Sequence, residues 1–284
     1  MGDVYLKLGR TDEALKSYQD SLEINQRLSQ ADPSDSQKQR DISVSLHSLG
    51  DVYLKLGRTD EALKSFRDGF EINRTLYKAD PSDRQKQSDL SISFNRLGDV
   101  YLALGRTDDA LRSFQDDLEI SQRQCEADSS NHDCRRRLAF AHFNVATASI
   151  AQQNFIEAIK LIETGIQELQ TIESNESVDH YNIACGYGIC LKLVSGWDGK
   201  SKFPQEAGLP ETTASEKKEL IRFQKLSIES LKKATALGYD DCQHALQDSD
   251  LEALHNTAEF ESIFEPNRNV EPSSGSASKK DDQR

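Results

Sequence analysis

Cys125, His132 and Cys134 lie close enough together in sequence to be drawn into one cluster of thiolate and imidazole ligands. A structural zinc site needs a fourth ligand of this kind, and no second closely spaced Cys pair follows, so the trio is a weak metal candidate. Cys185 and Cys190 are five apart, which puts them on different faces of a helix. The five cysteines are odd in number and sit in helical pattern, so they are expected as free or buried thiols of a reducing compartment. His142 and His180 stand among apolar neighbours and read as packing residues rather than ligands. The chain has no glycine-rich phosphate loop, no H-R-D or D-F-G signature and no G-x-S-x-G elbow. The expectation is a non-catalytic protein with no cofactor and no metal.

The remaining candidates are side chains that recur. The string GDVYLKLGRTDEALKS occupies Gly2 to Ser17 and returns unchanged from Gly50 to Ser65, then as GDVYLALGRTDDALRS from Gly98 to Ser113. The period is 48 residues, and Ala14-Leu15, Ala62-Leu63, Ala110-Leu111 and Ala158-Ile159 keep it through a diverged fourth copy. A fixed period of 20–50 residues marks a solenoid, in which each unit buries its apolar face against its neighbours.

Within a copy the apolar positions have helical spacing. Leu46, Leu49, Val52, Tyr53 and Leu56 form one face of a first helix. Gly57-Arg58 breaks the pattern, and Thr59 is expected to cap a second helix with Asp60 and Glu61 in its first turn. That helix turns Ala62, Leu63, Phe66, Phe70 and Leu76 or Tyr77 inward and stops at Ala79-Asp80-Pro81. Ser82 or Asp83 can cap the next one. Each unit is therefore two antiparallel helices of about five or six turns. Gly50 and Ala62 are expected where the pair approaches most closely, with Tyr53 and Phe66 filling the space beside them.

Leu46-x2-Leu49-Gly50-x2-Tyr53 followed by Ala62-x3-Phe66 resembles the tetratricopeptide repeat, W-x2-L-G-x2-Y then A-x3-F. Phe94, Leu97, Gly98, Tyr101, Ala110 and Phe114 repeat it, and Gly2, Tyr5, Ala14 and Tyr18 match its first copy from the glycine on. The fourth copy keeps Val145, Ala146 and Ala158, with Ser149 for the tyrosine and Ile162 for the aromatic. Family repeats have 34 residues, so the extra length adds about two turns to each helix. Such long units resemble the kinesin-light-chain-like branch and the arrays of bacterial kinase-associated regulatory proteins. The resemblance implies an all-α, right-handed α-solenoid of antiparallel helix pairs.

The expected organisation is repeats over 1–178, with units near 1–33, 34–81, 82–130 and 131–178, the first one truncated. An irregular final repeat and a C-terminal cap follow over 179–264, interrupted by a long loop at 195–215, and 265–284 is expected to be disordered. Tyr181-Asn182-Ile183-Ala184-Cys185 opens that final repeat, and Glu216 to Leu237 is its partner helix. Leu246, Leu251, Leu254, Phe260 and Phe264 anchor the close. The YNLAC-like helix and the DPDL-x2-L-like close resemble the terminal segments of repeat arrays that accompany bacterial protein kinase domains. Met1 stands where Leu49 and Leu97 stand, so an apolar helix face is left open at the N-terminus. A partner covers it, a second copy of the chain does, or the chain is a truncated product of a longer gene.

In the family resembled, first helices line a concave groove. Carried over by position, that groove is faced by Asp3, Leu6 and Lys7, then His47, Asp51, Leu54 and Lys55. Asn95, Arg96, Asp99 and Leu102 follow, then Phe143, Asn144, Thr147 and Ile150. The carboxylate-clamp subtype wants asparagine where Asp3, Asp51 and Asp99 stand, and an aspartate ladder repels a carboxylate. A protein or peptide ligand with basic residues suits it better, and an ordinary solvated helix face is the competing account. The net charge of −13 disfavours nucleic acid and anionic membrane surfaces as partners. With no leader segment and no long apolar run, the expected location is the cytoplasm. The functional expectation is a protein-interaction scaffold. The alternative is a detached regulatory repeat region of a larger signalling protein such as a Ser/Thr protein kinase.

Overall fold

In a computed structural model, the described residues are 2–172, 176–195, 214–255 and 257–264, and among them every regular element is a helix. The chain divides into two compact units, Met1–Glu173 and Ser174–Arg284. The proposed tail over 265–284 and most of the proposed loop over 195–215 lie outside the described residues.

The first unit is a run of helix pairs. It comprises α1 (Gly2–Lys7) with α2 (Thr11–Ala31), α3 (Ser36–Lys55) with α4 (Thr59–Ala79), α5 (Arg84–Ala103) with α6 (Thr107–Ala127), and α7 (His132–Ala151) with α8 (Phe155–Gln170). Each helix packs on its neighbours in the chain, both within a pair and between successive pairs, which makes the unit an all-α solenoid.

First helices begin on a side-chain cap. Asp35 accepts from the Gln37 and Lys38 amides at 2.9 and 3.3 Å, and Asp83 from Gln85 and Lys86 at 2.8 and 3.2 Å. Lys86 then spans Asp80 and Asp83, both at 3.5 Å.

Second helices begin differently, and Thr59 is not their cap. Arg58 holds that position without a side-chain cap. The corner closes through the backbone instead: the Arg58 amide donates to the Tyr53 carbonyl at 2.8 Å while Gly57 takes φ +70°. The Arg58 guanidinium lies 4.6 Å over the Tyr53 ring and bonds Glu61, and Arg106, Tyr101 and Asp109 repeat the device. In the fourth pair Gln153 stands in this glycine's place and still takes φ 61°.

Between pairs, Ala62, Phe66, Leu97 and Val100 form one buried cluster, and Ala110, Phe114, Val145 and Ala148 the next. What crowds Gly50 is the Phe66 ring rather than Ala62. A Cβ there would lie 2.3 Å from the ring edge, and Gly98 stands in the same relation to Phe114.

The second unit holds α9 (Ser177–Ser195), α10 (Ala214–Ala236), α11 (Cys242–Gln247), a 3-10 turn (Ser249–Leu254) and α12 (Ala258–Phe264). α9 and α10 pack together, with the Ser227 hydroxyl donating to the Ala184 carbonyl at 2.7 Å. Leu251, Leu254, Phe260 and Phe264 are buried, whereas Leu246 is only half-buried.

Candidate functional site

The first helices carry the groove candidates. On α1, Asp3, Leu6 and Lys7 have side chains outside the described residues. On α3, α5 and α7 the structure separates the others into packing, charge and exposed apolar rows.

His47, Asn95 and Phe143 occupy one repeat position, and each is matched to the residue 22 further on. His47 lies over Gly69, where an added Cβ would come 2.8 Å from Nε2. Phe143 lies over Gly165 with a corresponding approach of 2.5 Å. Asn95 bonds the Asp117 carboxylate instead. A ring goes with glycine and an amide with aspartate, so this row holds the two helices of a pair together. Burial first, then Arg96, pushes the His47 imidazole down to about 4, so it is neutral at pH 7. Leu54 and Leu102 are half-buried against the inter-pair clusters. Ile150 and Asn144 are half-buried, and Lys55 and Thr147 are exposed.

The aspartate ladder is not an open row of charge. Arg96 reaches back to Asp51 at 3.2 Å, and Arg40 grips Asp89 through Nε at 2.5 Å and Nη2 at 3.1 Å. Burial raises the Asp51 pKa, opposed by Arg96 and Lys55. Asp99 is pushed up to about 6, chiefly by burial, because attraction by Arg96 is set against repulsion from Asp51 and Asp117. Asp117 is buried and raised, although it accepts from Ser91, Asn95 and Ser121 and feels Arg137. Among the described residues no ion pair reaches Asp99.

A third row escaped the sequence reading. Val44, Ile92 and Phe140 share a repeat position and remain 47%, 47% and 42% exposed, while Leu46, Leu49, Leu97 and Val145 beside them are buried. The signal was present in the sequence: an apolar residue returning every 48 positions, two residues ahead of the buried face.

The metal candidates resolve into structural contacts. Cys125 and Cys134 are joined as a disulfide between the end of α6 and the start of α7, which overturns the expectation of free thiols and removes both as ligands. The pair stands where Tyr77 and Lys86 stand one repeat earlier, so a covalent tie replaces the Lys86 ion pairs at that corner. A disulfide also withdraws the cysteine argument for a reducing compartment. His142, in the place of Leu46 and Phe94, is buried, with Nδ1 lacking a hydrogen-bond partner.

In the second unit Cys185, Asp248 and Asp250 bring ligand atoms within 4.8 Å of one another. Asp248 is already occupied. It accepts from the Tyr181 hydroxyl at 2.7 Å, the Cys185 thiol at 3.5 Å and the Asp250 amide at 2.9 Å. Gly188 admits the turn, since a Cβ there would lie 2.2 Å from the Asp250 carbonyl oxygen. The YNIAC and DSDL segments thus meet in one contact through Asp248.

Along the face of the first unit, Val4, Leu8, Ile24 and Leu28 are more than half exposed, whereas Val52 and Val100, equivalent to Val4, are fully buried. No described helix is long and apolar enough to cross a membrane.

Family models for the tetratricopeptide repeat match residues 1–75 and 93–124. No curated protein matches the chain. Among solved structures, BtubC (BKLC) from P. vanneervenii is 16% identical, with a TM-score of 0.53 over 96% of this chain and 99% of that one. A Podosopora anserina putative kinesin light chain with nearly identical TPR-like repeats is 17% identical, with a TM-score of 0.51 over 87% and 94% of the two chains. At these identities the likeness is one of fold.

Proposed function

Starting from a chain of tetratricopeptide repeats, we propose that it is a non-catalytic scaffold holding a peptide or partner helix against the face built by its first helices. Repeats of this family generally mediate contacts between proteins. The observation that carries the reading is the row of Val44, Ile92 and Phe140, left exposed on three successive first helices. One exposed apolar side chain is ordinary, but the same position left apolar and exposed on three successive first helices is a candidate contact row. His47, Asn95 and Phe143 fit this proposal as supports of that face rather than as contact residues. The net charge of −13 favours protein over nucleic acid or anionic membrane as the partner.

Affinity capture from cell extract tests the proposal, comparing wild type with Val44→Asp/Ile92→Asp/Phe140→Asp and quantifying captured proteins by mass spectrometry. These exposed substitutions should leave the helical circular dichroism unchanged and remove a defined set of partners. The same partners at the same yields would overturn the assignment of this face.

A further inference from the structure

Building on the groove reading above, we infer that the segment bound there is amphipathic and cationic: an apolar edge lies on Val44, Ile92 and Phe140, and a lysine or arginine on the opposite edge sits beside Asp99. Two independent features of the face lead to this partner.

The first is spacing. Asp51 follows Val44 by seven residues and Asp99 follows Ile92 by seven, so the apolar row and the aspartate row lie on the same side of each helix. Two turns separate them, about 10.5 Å along each axis, which matches the 10–12 Å width of a helix with its side chains. A segment lying across the first helices therefore meets one row with each edge. Between the rows run His47, Asn95 and Phe143, which are committed to Gly69, Asp117 and Gly165 and offer a floor rather than free hydrogen-bonding groups.

The second is charge. Arg40 is committed to Asp89, and Arg96 to Asp51. The groups acting on Asp99 are Arg96 on its own helix, Asp51 on α3 and Asp117 on α6, with Arg137 of α7 directed at Asp117. Of the charges acting on Asp99, one is a guanidinium and two are carboxylates, while Lys55 acts on Asp51 and Arg137 on Asp117, so the place beside Asp99 is left with excess negative charge in a half-buried setting. A cation delivered by a partner restores the balance, and its neighbours on that edge need no other charge. Burial, with the neighbouring carboxylates adding to it, raises the Asp99 pKa to about 6 and gives the contact a pH dependence. The carboxylate that recruits the cation is lost as pH falls through that value.

The test uses the full chain and three fluorescein-labelled 18-residue peptides read by anisotropy. The first has leucine and lysine at helical spacing on opposite edges, the second is a shuffle of it that spreads both residues evenly, and the third replaces lysine by glutamate. The ordered leucine–lysine peptide should bind about tenfold or more tighter than either control, because charge and apolar edges must both register. Ile92→Asp/Phe140→Asp should abolish that preference. Asp99→Asn should weaken the ordered peptide by about tenfold, the scale of one partly desolvated charge contact, and should remove its loss of affinity between pH 7 and 5. Equal binding of the shuffled peptide, with no effect of Asp99→Asn, would mean only general attraction to an acidic chain and would overturn the inference. Equal binding of the glutamate peptide would do the same. Failure of all three peptides, alongside partner loss in the capture experiment, would leave the groove in use by a partner of other chemistry.

Discussion

Replacing Gly50 by alanine puts the helix-pair packing to a quantitative test, because two known effects act in opposite directions. Alanine is the better helix residue, and removing an interior glycine stabilises by about 0.5–1 kcal/mol if nothing touches the new methyl. Here the methyl would stand 2.3 Å from Phe66 Cε1 and 2.6 Å from Cδ1 and Cζ. Carbon atoms in contact prefer about 3.5–4.0 Å, so the ring must retreat by more than an ångström. It has little room, being 0% exposed against Ala62, Leu97 and Val100. Overpacking of this kind costs about 1–3 kcal/mol, which outweighs the propensity gain and leaves a net loss of about 1–2 kcal/mol. Urea denaturation followed by far-ultraviolet circular dichroism reads this as a lower midpoint. Gly50→Ala/Phe66→Leu should recover about 1 kcal/mol relative to the sum of the single changes, since the smaller side chain vacates the contact. Lys55→Ala, on an exposed position, should stay within about 0.5 kcal/mol of wild type. A Gly50→Ala variant more stable than wild type would show that the ring does not lie over the glycine and that the register of the pair is wrong.

Gln153→Gly should raise stability by about 0.5–1 kcal/mol in the same assay, because Gln153 takes φ 61° where Gly57 and Gly105 take +70°, and only glycine does so without strain. An unchanged or lower midpoint would refute that strain. Asp99→Asn should stabilise the chain at pH 7 by up to about 2 kcal/mol, discounted for partial exposure, and by nothing near pH 3.5. Its folded pKa of about 6 lies above the usual carboxylate value, so ionisation costs folding free energy progressively as pH rises from about 4 to 6. His47 has the opposite sign, its contribution to stability being lost as pH falls from about 6.5 to about 4 because the unfolded chain takes up a proton that the folded imidazole refuses, which is why the variant must be compared with wild type at each pH. A Asp99→Asn gain that did not vary with pH would refute the titration account.

The repeat frame, the helix pairs and their buried faces were legible because each depends on side-chain type at fixed spacing. Leu46, Leu49, Val52, Ala62 and Phe66 needed only a period and a hydrophobic rule. Corners were less legible. Thr59 has the composition of a cap, but the corner is closed by Gly57 in a left-handed conformation and by Arg58 over Tyr53, which a search for capping side chains does not weigh. The disulfide was missed because an odd cysteine count and helical spacing both argue for free thiols. Pairing depends instead on two helix ends meeting at a turn, with Cα atoms 5.4 Å apart. On the first helices, position in the repeat picked residues along one side of each helix but not which of those side chains were already engaged. Arg96 lies one repeat along the chain from Ser48, yet its partner is Asp51, and a contact between repeats is invisible to a comparison within one.

The packing pairs inside each repeat and the exposed apolar row differ in how they vary from copy to copy, and that difference separates scaffold from surface. Gly50 with Phe66 and Gly98 with Phe114 are the same pair twice, because a close approach leaves one solution. His47 with Gly69, Asn95 with Asp117 and Phe143 with Gly165 change together, as a contact must when both members share one space. Val44, Ile92 and Phe140 change only in size while remaining apolar and exposed, with the Phe140 ring edge-on to Phe143 at 5.9 Å. A solvated position free of packing has no physical reason to stay apolar through three copies, since exposed apolar surface contributes nothing to folding and promotes association. Inheritance from a common ancestral copy would leave identical residues, as it does at Gly2 to Ser17 and Gly50 to Ser65, rather than a graded series of larger ones. Such a graded series is what the proposed apolar contact with a ligand would leave, and its bulkiest member, Phe140, is also the one whose ring meets a neighbour, Phe143.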